Sequence, residues 1–183
     1  MAEMILICGS NSSGKSLFAE KLVSLTEGKR YYIATMINSS EENDRRIQKH
    51  IAQRANLNFE TLELPYGFSD AEFEKDSVVL LEDVSNLLAN LIFVKKQGID
   101  EALSEIESLK NCCKTLVLVS ISGLSNEGYD GETLDYVNQL NEINSILANK
   151  SDVVIEMENR IPKIKKGDLD RAFESLFNSP VNL

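Results

Sequence analysis

The segment Gly9-Ser-Asn-Ser-Ser-Gly-Lys-Ser16 decides how this chain folds. It satisfies the pattern G-x-x-x-x-G-K-[ST] at every fixed position. The apolar run 4–8 precedes it, and a helical pattern from about Lys15 to Leu25 follows it. A loop that joins a buried strand to a helix can turn its backbone N–H groups toward a phosphate chain, at the positive end of the helix dipole. The segment therefore predicts a P-loop that binds a nucleoside triphosphate.

Each residue type in this loop has a predicted role. Gly9 and Gly14 allow a tight turn and a close approach of the backbone to the phosphates. Lys15 reaches the β- and γ-phosphates, and the hydroxyl of Ser16 ligates Mg²⁺. The other loop residues that we expect at the nucleotide are Ser10, Asn11, Ser12 and Ser13. A Gly- and Ser-rich surface turn is the alternative interpretation.

The composition bounds the class of protein. At 183 residues and 43% hydrophobic content, we expect one domain over residues 1–183 with a sizeable core. The net charge of −10 argues against a nucleic-acid-binding surface, which needs clustered Lys and Arg. No apolar run is long enough to span a membrane, and the acidic start of the printed sequence leads us to expect no secretory signal there. The three cysteines have no metal-binding spacing, which fits a reducing cytoplasm.

Apolar runs alternate with amphipathic segments along the chain. This alternation predicts an α/β fold, P-loop NTPase-like, with a mainly parallel central sheet flanked by helices. We expect buried strands at 4–8, 31–35, 78–82, 115–120 and 152–157, a short strand at 59–64 and an edge strand at 160–166. We expect helices at 15–25, 43–54, 85–94, 100–111, 133–149 and about 169–177, with a loop at 122–132.

A P-loop needs an acidic partner at the end of another central strand to complete the Mg²⁺ shell. Glu82 fits this requirement, because it ends the apolar run Val78–Leu81. Asp83 is the neighbouring candidate. An N-cap for the helix that starts near Ser85 is the structural alternative, and it suits Asp83 better than Glu82.

His50 is the only histidine in the chain. Lys49 flanks it, and Arg45, Arg46 and Arg54 lie one to two helical turns away. A neutral imidazole is a competent nucleophile at phosphorus, and nearby cations would lower its pKa and hold the phosphates that it attacks. A half-exposed helix histidine without catalytic function is the alternative that the residues alone leave open.

Several segments together resemble one family, the bifunctional adenosylcobinamide kinase/adenosylcobinamide-phosphate guanylyltransferases of cobalamin assembly. The agreement extends over nearly the whole chain and is densest in residues 4–93. The segments that carry it are the P-loop, Tyr32-Ile33-Ala34-Thr35, Arg46-Ile47-Gln48-Lys49-His50, Phe59-x-Thr61-x-Glu63, Leu80-Leu81-Glu82, Asn90-Leu91, Ile143-Asn144, Leu147-Ala148, Asp152-Val153-Val154 and Ile161-Pro162 to Lys165.

The resemblance implies two reactions on a corrinoid. A nucleoside triphosphate, ATP or GTP, phosphorylates the hydroxyl of adenosylcobinamide. A histidine then takes GMP from GTP as a phosphoramidate and passes it to adenosylcobinamide phosphate, and the matching residue is His50. The resemblance also implies a homotrimer. It places further nucleotide contacts at Ile33, Ala34, Thr35, Ile51, Ala52, Gln53, Arg54, Glu63 and Glu82, with Lys15 catalytic and Mg²⁺ on Ser16 and Glu82.

The chain departs from the family pattern in one long segment. Residues 120–131 replace the family's Asn-Glu-Val-Gly…Gly-Ile-Val-Pro segment and keep little beyond one glycine. Two alternatives therefore stay open. One is a P-loop small-molecule kinase in which His50 is structural, and the other is a non-catalytic GTP-binding relative.

Overall fold

The central sheet comprises seven strands in the part of the chain that the structure describes. The computed structural model describes residues 2–37, 48, 51, 52 and 55–177, the side chains at 171 and 172 excepted. The strands are β1 (Glu3–Gly9), β2 (Arg30–Ala34), β3 (Phe59–Glu63), β4 (Val78–Glu82), β5 (Thr115–Ile121), β6 (Val153–Glu158) and β7 (Ile161–Lys166). They lie in the order β3-β2-β4-β5-β1-β6-β7. All neighbouring pairs are parallel except β6 and β7, so the predicted parallel sheet is confirmed.

Helices cover both faces of this sheet. They are α1 (Lys15–Ser24), α2 (Val84–Asn90), α3 (Ile99–Lys110), α4 (Gly131–Lys150) and a closing 3₁₀ helix (Arg171–Phe177). Apolar side chains of α1 and the 3₁₀ helix pack on one face, and those of α2, α3 and α4 pack on the other. After β1, β4 and β5 the chain returns through one or two helices before the next parallel strand begins, and after β3 it returns through residues 64–77.

The side chains of β1 point alternately to the two faces of the sheet, which explains why residues 4–7 are all apolar. Met4 and Leu6 belong to the core on the face of α2, α3 and α4. Ile5 and Ile7 belong to the core on the face of α1. Successive side chains of a strand point to opposite faces, so a strand covered on both sides must be apolar at every position.

The end of β4 leads directly into a capped helix. The Asp83 carboxylate accepts a hydrogen bond from the Asn86 backbone N–H at 2.7 Å, so α2 begins at Val84 rather than at Ser85. The α-helical part ends at Asn90, and residues Leu91–Lys95 form a π-helical turn in place of the predicted α-helix. The N-cap interpretation of Asp83 is confirmed.

Other boundaries differ modestly from expectation. The predicted edge strand at 160–166 begins at Ile161, because Asn159 and Arg160 form the two-residue turn between β6 and β7. Helix α4 begins at Gly131, two residues inside the predicted loop. The last helix is 3₁₀. The helix predicted at 43–54 lies outside the described residues except for 48, 51 and 52, which are helical. No described helix is long and apolar enough to cross a membrane.

The Phe18→Ala variant tests the packing of α1 on the sheet. Phe18 is fully buried, and its ring meets that of Phe177 edge-on with 5.6 Å between centroids. We expect a loss of about 3–5 kcal/mol in the free energy of unfolding, measured by urea denaturation. Leu25→Ala is the control, because that side chain is 49% exposed and should change stability by no more than about 0.5 kcal/mol. Equal losses in the two variants would contradict the packing described.

Candidate nucleotide and metal site

The P-loop follows β1 at the carboxyl edge of the sheet, where ligands of parallel α/β proteins bind. A Cβ on Gly9 would lie 2.7 Å from the Met157 carbonyl oxygen and 2.7 Å from Ser13 Oγ, so only glycine fits there. Gly14 has φ of +88°, a left-handed conformation that favours glycine, and it ends the loop where α1 begins. Ser12 also has positive φ, at +58°. The tight turn predicted at both glycines is confirmed, and the close approach to the phosphates stays a prediction.

Lys15 lies buried across the loop. Its Nζ donates a hydrogen bond to the Ser10 carbonyl oxygen at 3.1 Å, and its side chain is only 7% exposed overall. Burial lowers the pKa of Lys15 from its ordinary value, while the carboxylates of Glu82 and Asp83 act in the opposite direction. The ammonium is therefore held inside the loop, where a phosphate chain would replace the Ser10 carbonyl as its partner.

Ser16 and Glu82 meet at the edge of the sheet. The Ser16 hydroxyl donates a hydrogen bond of 2.6 Å to Glu82 Oε1. The second oxygen, Oε2, is buried and has no hydrogen-bond partner among the described residues. A hydroxyl beside a carboxylate with one unused oxygen is the donor set that Mg²⁺ prefers. The residues present therefore fit the ion that the sequence predicts for this pair.

Glu82 is electrostatically unusual. Burial, and then the neighbouring Asp83, raise the pKa of Glu82 to about 8, although the hydrogen bond from Ser16 and the charge of Lys15 act in the opposite direction. A bound divalent cation would supply the positive charge that this buried carboxylate lacks.

Thr35 contacts the backbone of Glu82 and Asp83 through its hydroxyl. Its hydroxyl accepts a hydrogen bond from the Asp83 backbone N–H at 2.8 Å and lies 2.8 Å from the Asp83 carbonyl oxygen and 3.1 Å from that of Glu82. The Thr35 backbone N–H also donates to the Glu82 carbonyl oxygen at 3.0 Å. Thr35 is fully buried, and these contacts engage its hydroxyl with the Glu82–Asp83 backbone.

Asn90 on α2 hydrogen-bonds to the residues that follow β2 and β3. Its Nδ2 donates to the Thr35 carbonyl oxygen at 2.7 Å and to the Pro65 carbonyl oxygen at 2.8 Å. Thr35 follows β2 and Pro65 follows β3, so one amide side chain joins the ends of both strands. The Asn90-Leu91 pair quoted for the resemblance thus has a structural explanation.

The loop after β5 is anchored beside the P-loop. The Ser122 backbone N–H donates to the Gly9 carbonyl oxygen at 3.0 Å. Ser85 Oγ accepts from the Ile121 backbone N–H at 2.9 Å, and the Asn144 amide donates to the Ile121 carbonyl oxygen at 2.8 Å. The segment that departs from the family pattern therefore starts at the nucleotide site itself.

The other predicted site residues have different surroundings. The Ile33 side chain is fully buried in the sheet core and offers no surface to a ligand. Ala34 is half-buried and pairs in register with both Glu63 and Glu82, which places Glu63 two strands from Glu82, exposed at the edge. Ile51 and Ala52 are exposed. Nucleotide contacts at these five positions stay predictions, and the predicted residues outside the described part of the chain are His50, Gln53 and Arg54.

Sequence reasoning missed two features of this site. It assigned Thr35 to the nucleotide and did not foresee that its hydroxyl holds the Glu82–Asp83 backbone. It also took Arg160 as part of a strand, whereas Arg160 lies in a turn against Gly14. The Asn-Arg pair between two strand patterns was the available signal for that turn. In the described part of the chain, no group of three or more His, Cys, Asp or Glu side chains forms a separate metal site.

Replacing Glu82 by Gln should stabilise the nucleotide-free protein at pH 8. The folded-state pKa is raised, so the stability from the protonated carboxyl is fully present below its ordinary value of 4.5 and is lost as the pH rises toward about 8. Glutamine stays neutral throughout. We expect a higher Tm for Glu82→Gln at pH 8 in EDTA, by about 2–4 °C per kcal/mol gained, and little difference at pH 4.5. Glu63→Gln, an exposed control, should change neither value, and a gain independent of pH would contradict the raised pKa.

Thr35→Val and Thr35→Ser form a matched pair for the Glu82–Asp83 contact. Valine keeps the shape but removes the hydroxyl, which leaves the buried Asp83 N–H without its acceptor. We expect a loss of about 1–3 kcal/mol in the free energy of unfolding for Thr35→Val. Serine retains the hydroxyl and should lose less. Urea denaturation measures both variants, and equal stability of the two would show that the hydroxyl contributes nothing.

Solved structures of low sequence identity share this fold. A protein of Pyrococcus horikoshii OT3, known from a structural study, has a TM-score of 0.55 at 11% identity over 93% of this chain and 89% of its own. A type III secretion system ATPase of pathogenic bacteria gives 0.54 at 11% identity, over 95% of this chain and 61% of its own. The ATP synthase subunit NeqB of Nanoarcheaum equitans gives 0.50 at 14% identity, over 96% and 54%. These likenesses confirm the P-loop NTPase-like α/β fold.

Sequence comparison gives the family. No curated protein matches the chain. The model of the family described as cobinamide kinase / cobinamide phosphate guanyltransferase matches residues 5–163, which includes the P-loop, Glu82 and the turn at Arg160. The match covers well over half of the chain, and it confirms the resemblance seen in the sequence. The chain belongs to the cobinamide kinase / cobinamide phosphate guanyltransferase family, and it is an enzyme with kinase and nucleotidyltransferase activity in cobamide biosynthesis.

Proposed function

We propose that this enzyme phosphorylates adenosylcobinamide with a nucleoside triphosphate and then transfers GMP from GTP to adenosylcobinamide phosphate through a guanylyl-His50 intermediate. The observation that carries the nucleotide part is the contact of Ser16 with Glu82 beside the buried Lys15. These three residues form a phosphate and Mg²⁺ site at the carboxyl edge of the sheet. The family match and the position of His50 in the sequence support the rest.

In the kinase reaction the acceptor hydroxyl attacks the γ-phosphorus. Its oxygen forms the new P–O bond and releases its proton to the solvent, the bond between the γ-phosphorus and the β–γ bridging oxygen breaks, and the nucleoside diphosphate leaves. Mg²⁺, when bound, supplies positive charge at the β- and γ-phosphates. Lys15 and the loop N–H groups add fixed positive charge around the same oxygens, and they need no reorganisation when charge develops on them. Ser16 and Glu82 are the residues that would hold the ion.

The guanylyl transfer proceeds in two balanced steps at the α-phosphorus. First, a nitrogen of neutral His50 attacks, an N–P bond forms, the α–β phosphoanhydride bond breaks, and pyrophosphate leaves into the P-loop. Second, a phosphate oxygen of adenosylcobinamide phosphate attacks the same phosphorus, the N–P bond breaks, and His50 returns to its neutral form. The product contains a new pyrophosphate linkage between GMP and the corrinoid.

The two reactions place different demands on one nucleotide site. Phosphoryl transfer needs access to the γ-phosphorus, whereas guanylyl transfer needs the imidazole in line with the α-phosphorus. We propose that the segment bearing His50 moves between the two reactions, or that GTP binds in a second pose. The exposure of Ile51 and Ala52, the residues that follow His50, is consistent with either arrangement.

The proposal also covers assembly and location. The resemblance implies a homotrimer. A cytoplasmic location accords with three cysteines that form no disulfide with one another: Cys8, Cys112 and Cys113. Analytical ultracentrifugation would test the trimer directly, and a stable monomer would contradict it.

Covalent labelling with α-³²P-GTP and Mg²⁺ tests the guanylyl-histidine. We expect label that is labile in acid and stable in alkali, as is characteristic of a phosphoramidate. His50→Ala should abolish the label while it retains transfer of the γ-phosphate to cobinamide. Gln48→Ala, an exposed helical neighbour, should retain the label in full. No label in the wild type, or full label in His50→Ala, would overturn the proposed intermediate.

Cobinamide assays with ATP and GTP in parallel test the kinase step. Lys15→Ala should lower the rates of both reactions by at least about 100-fold, because both develop negative charge on oxygens held by the P-loop. Transfer of the γ-phosphate without covalent GMP would instead favour a small-molecule kinase. Tight GTP binding without turnover on any cobinamide would favour a non-catalytic relative.

A further inference from the structure

Arg160 lies on the flank of the P-loop opposite Glu82. In the sheet order, β5 and β4 are on one side of β1 and β6 is on the other. Because β6 is parallel to β1, the turn after β6 lies at the same edge as the P-loop. Glu82 at the end of β4 and Arg160 after β6 therefore approach the loop from opposite sides.

Arg160 lies beside Gly14, the N-cap residue of α1. A Cβ on Gly14 would lie 3.5 Å from Arg160 Cγ and 3.7 Å from both its Cα and its Cβ. The guanidinium is three bonds beyond Cγ, so the side chain is long enough to extend past Gly14 toward the P-loop.

The backbone at this turn is unfavourable for arginine. Glu158 pairs with Ile161, which leaves a two-residue loop with φ of +50° at Asn159 and +67° at Arg160. Two-residue turns with positive φ at both positions favour Asn-Gly. Asparagine tolerates the left-handed conformation, whereas arginine at the glycine position is strained. Strain retained beside a ligand site points to a function for the side chain.

Nothing in the described part of the fold uses the guanidinium. The neighbouring cations Lys163 and Lys165 pair with Glu158 and Glu156 across β6 and β7. Arg160 is exposed, and no acidic side chain among the described residues pairs with it. Its charge is therefore available to a ligand in the P-loop.

We infer that Arg160 contacts the α-phosphate of the bound nucleotide. In a P-loop the lysine reaches the β- and γ-phosphates, so Lys15 would serve those two groups, and Ser16 and Glu82 would hold the Mg²⁺ that adds positive charge beside them. The opposite flank is then left for the α-phosphate. A guanidinium presents a planar fork of N–H donors that matches two phosphate oxygens. This inference rests on the nucleotide site of the proposed function and adds a residue that neither the motif nor the family match assigns.

The consequence for the reaction concerns the α-phosphorus. Attack by the His50 imidazole builds negative charge on the α-phosphate oxygens, which Arg160 would share. Transfer of the γ-phosphate places its charge farther away, on oxygens held by Lys15. Arg160 should thus contribute to nucleotide binding in general, and to guanylyl transfer more than to phosphoryl transfer.

Arg160→Gly separates a role in nucleotide binding from a structural role. A binding role predicts weaker nucleotide binding without a loss of stability, whereas a structural role predicts a loss of stability. Glycine relieves the left-handed strain, so the Tm of the nucleotide-free protein should stay equal or rise. Loss of a charge-assisted contact should weaken binding of GTP, GDP and GMP, measured by isothermal titration calorimetry, by about tenfold or more. A similar factor for all three nucleotides, with no change in the binding of guanosine, identifies the α-phosphate, and an equal loss for guanosine would overturn the inference.

Two further variants serve as controls. Asn159→Gly changes the same turn without removing a cation and should bind GTP as the wild type does. Arg160→Lys keeps the charge without the fork and should give an intermediate loss. We expect Arg160→Gly to form the α-³²P label more slowly, by a larger factor than its loss of γ-phosphate transfer.

Several outcomes would overturn the inference. Nucleotide binding by Arg160→Gly as tight as that of the wild type would do so. An equal loss of nucleotide affinity in Asn159→Gly would also do so, because it would implicate the turn rather than the guanidinium. A loss confined to GTP would place the contact at the γ-phosphate and contradict the assignment. If the wild type bound no nucleotide, both this inference and the proposed function would be overturned. If the wild type and Arg160→Gly bound nucleotide equally tightly, the inference alone would be overturned.

Discussion

The hydrogen bond between Ser16 and Glu82 joins two parts of the chain that are 66 residues apart in sequence. It holds the first turn of α1 against the end of β4 and brings together the two side chains that would hold Mg²⁺. Its geometry depends on the sheet, because β5 separates β4 from β1 and fixes the distance between the two strand ends. The strand order that defines the fold therefore also brings the site residues together at this edge of the sheet.

The site is arranged at some cost to the fold. A carboxylate is buried beside a second one, and one of its oxygens is without a partner among the described residues. The Ser13 hydroxyl in the loop is likewise buried without one. Arg160 adopts a backbone conformation that glycine would adopt more readily. Each feature is unfavourable in the absence of ligand, and a bound phosphate chain and cation would supply partners for the buried Ser13 and Glu82 oxygens.

Local patterns carried most of the prediction. The buried strands could be recognised because a strand covered on both faces is apolar at every position, as in residues 78–81. Glu82 could be recognised as a candidate ligand because it ends such a strand. The role of Thr35 could not be found in this way. A threonine after a strand suits many sites, and only the approach of β4 to β2 brings its hydroxyl to the backbone of Asp83. The turn at Arg160 was obscured by the apolar residues that follow it.

The sequence by itself determined the P-loop, the alternation of strands and helices, and the family. These depend on residues that are close together in the chain or on an ordered set of short motifs. Only the tertiary structure decided which groups meet at the carboxyl edge. The pairing of Ser16 with Glu82 and the packing of Arg160 on Gly14 follow from strand order and register. Those properties arise from packing over the whole sheet, so no local pattern specifies them.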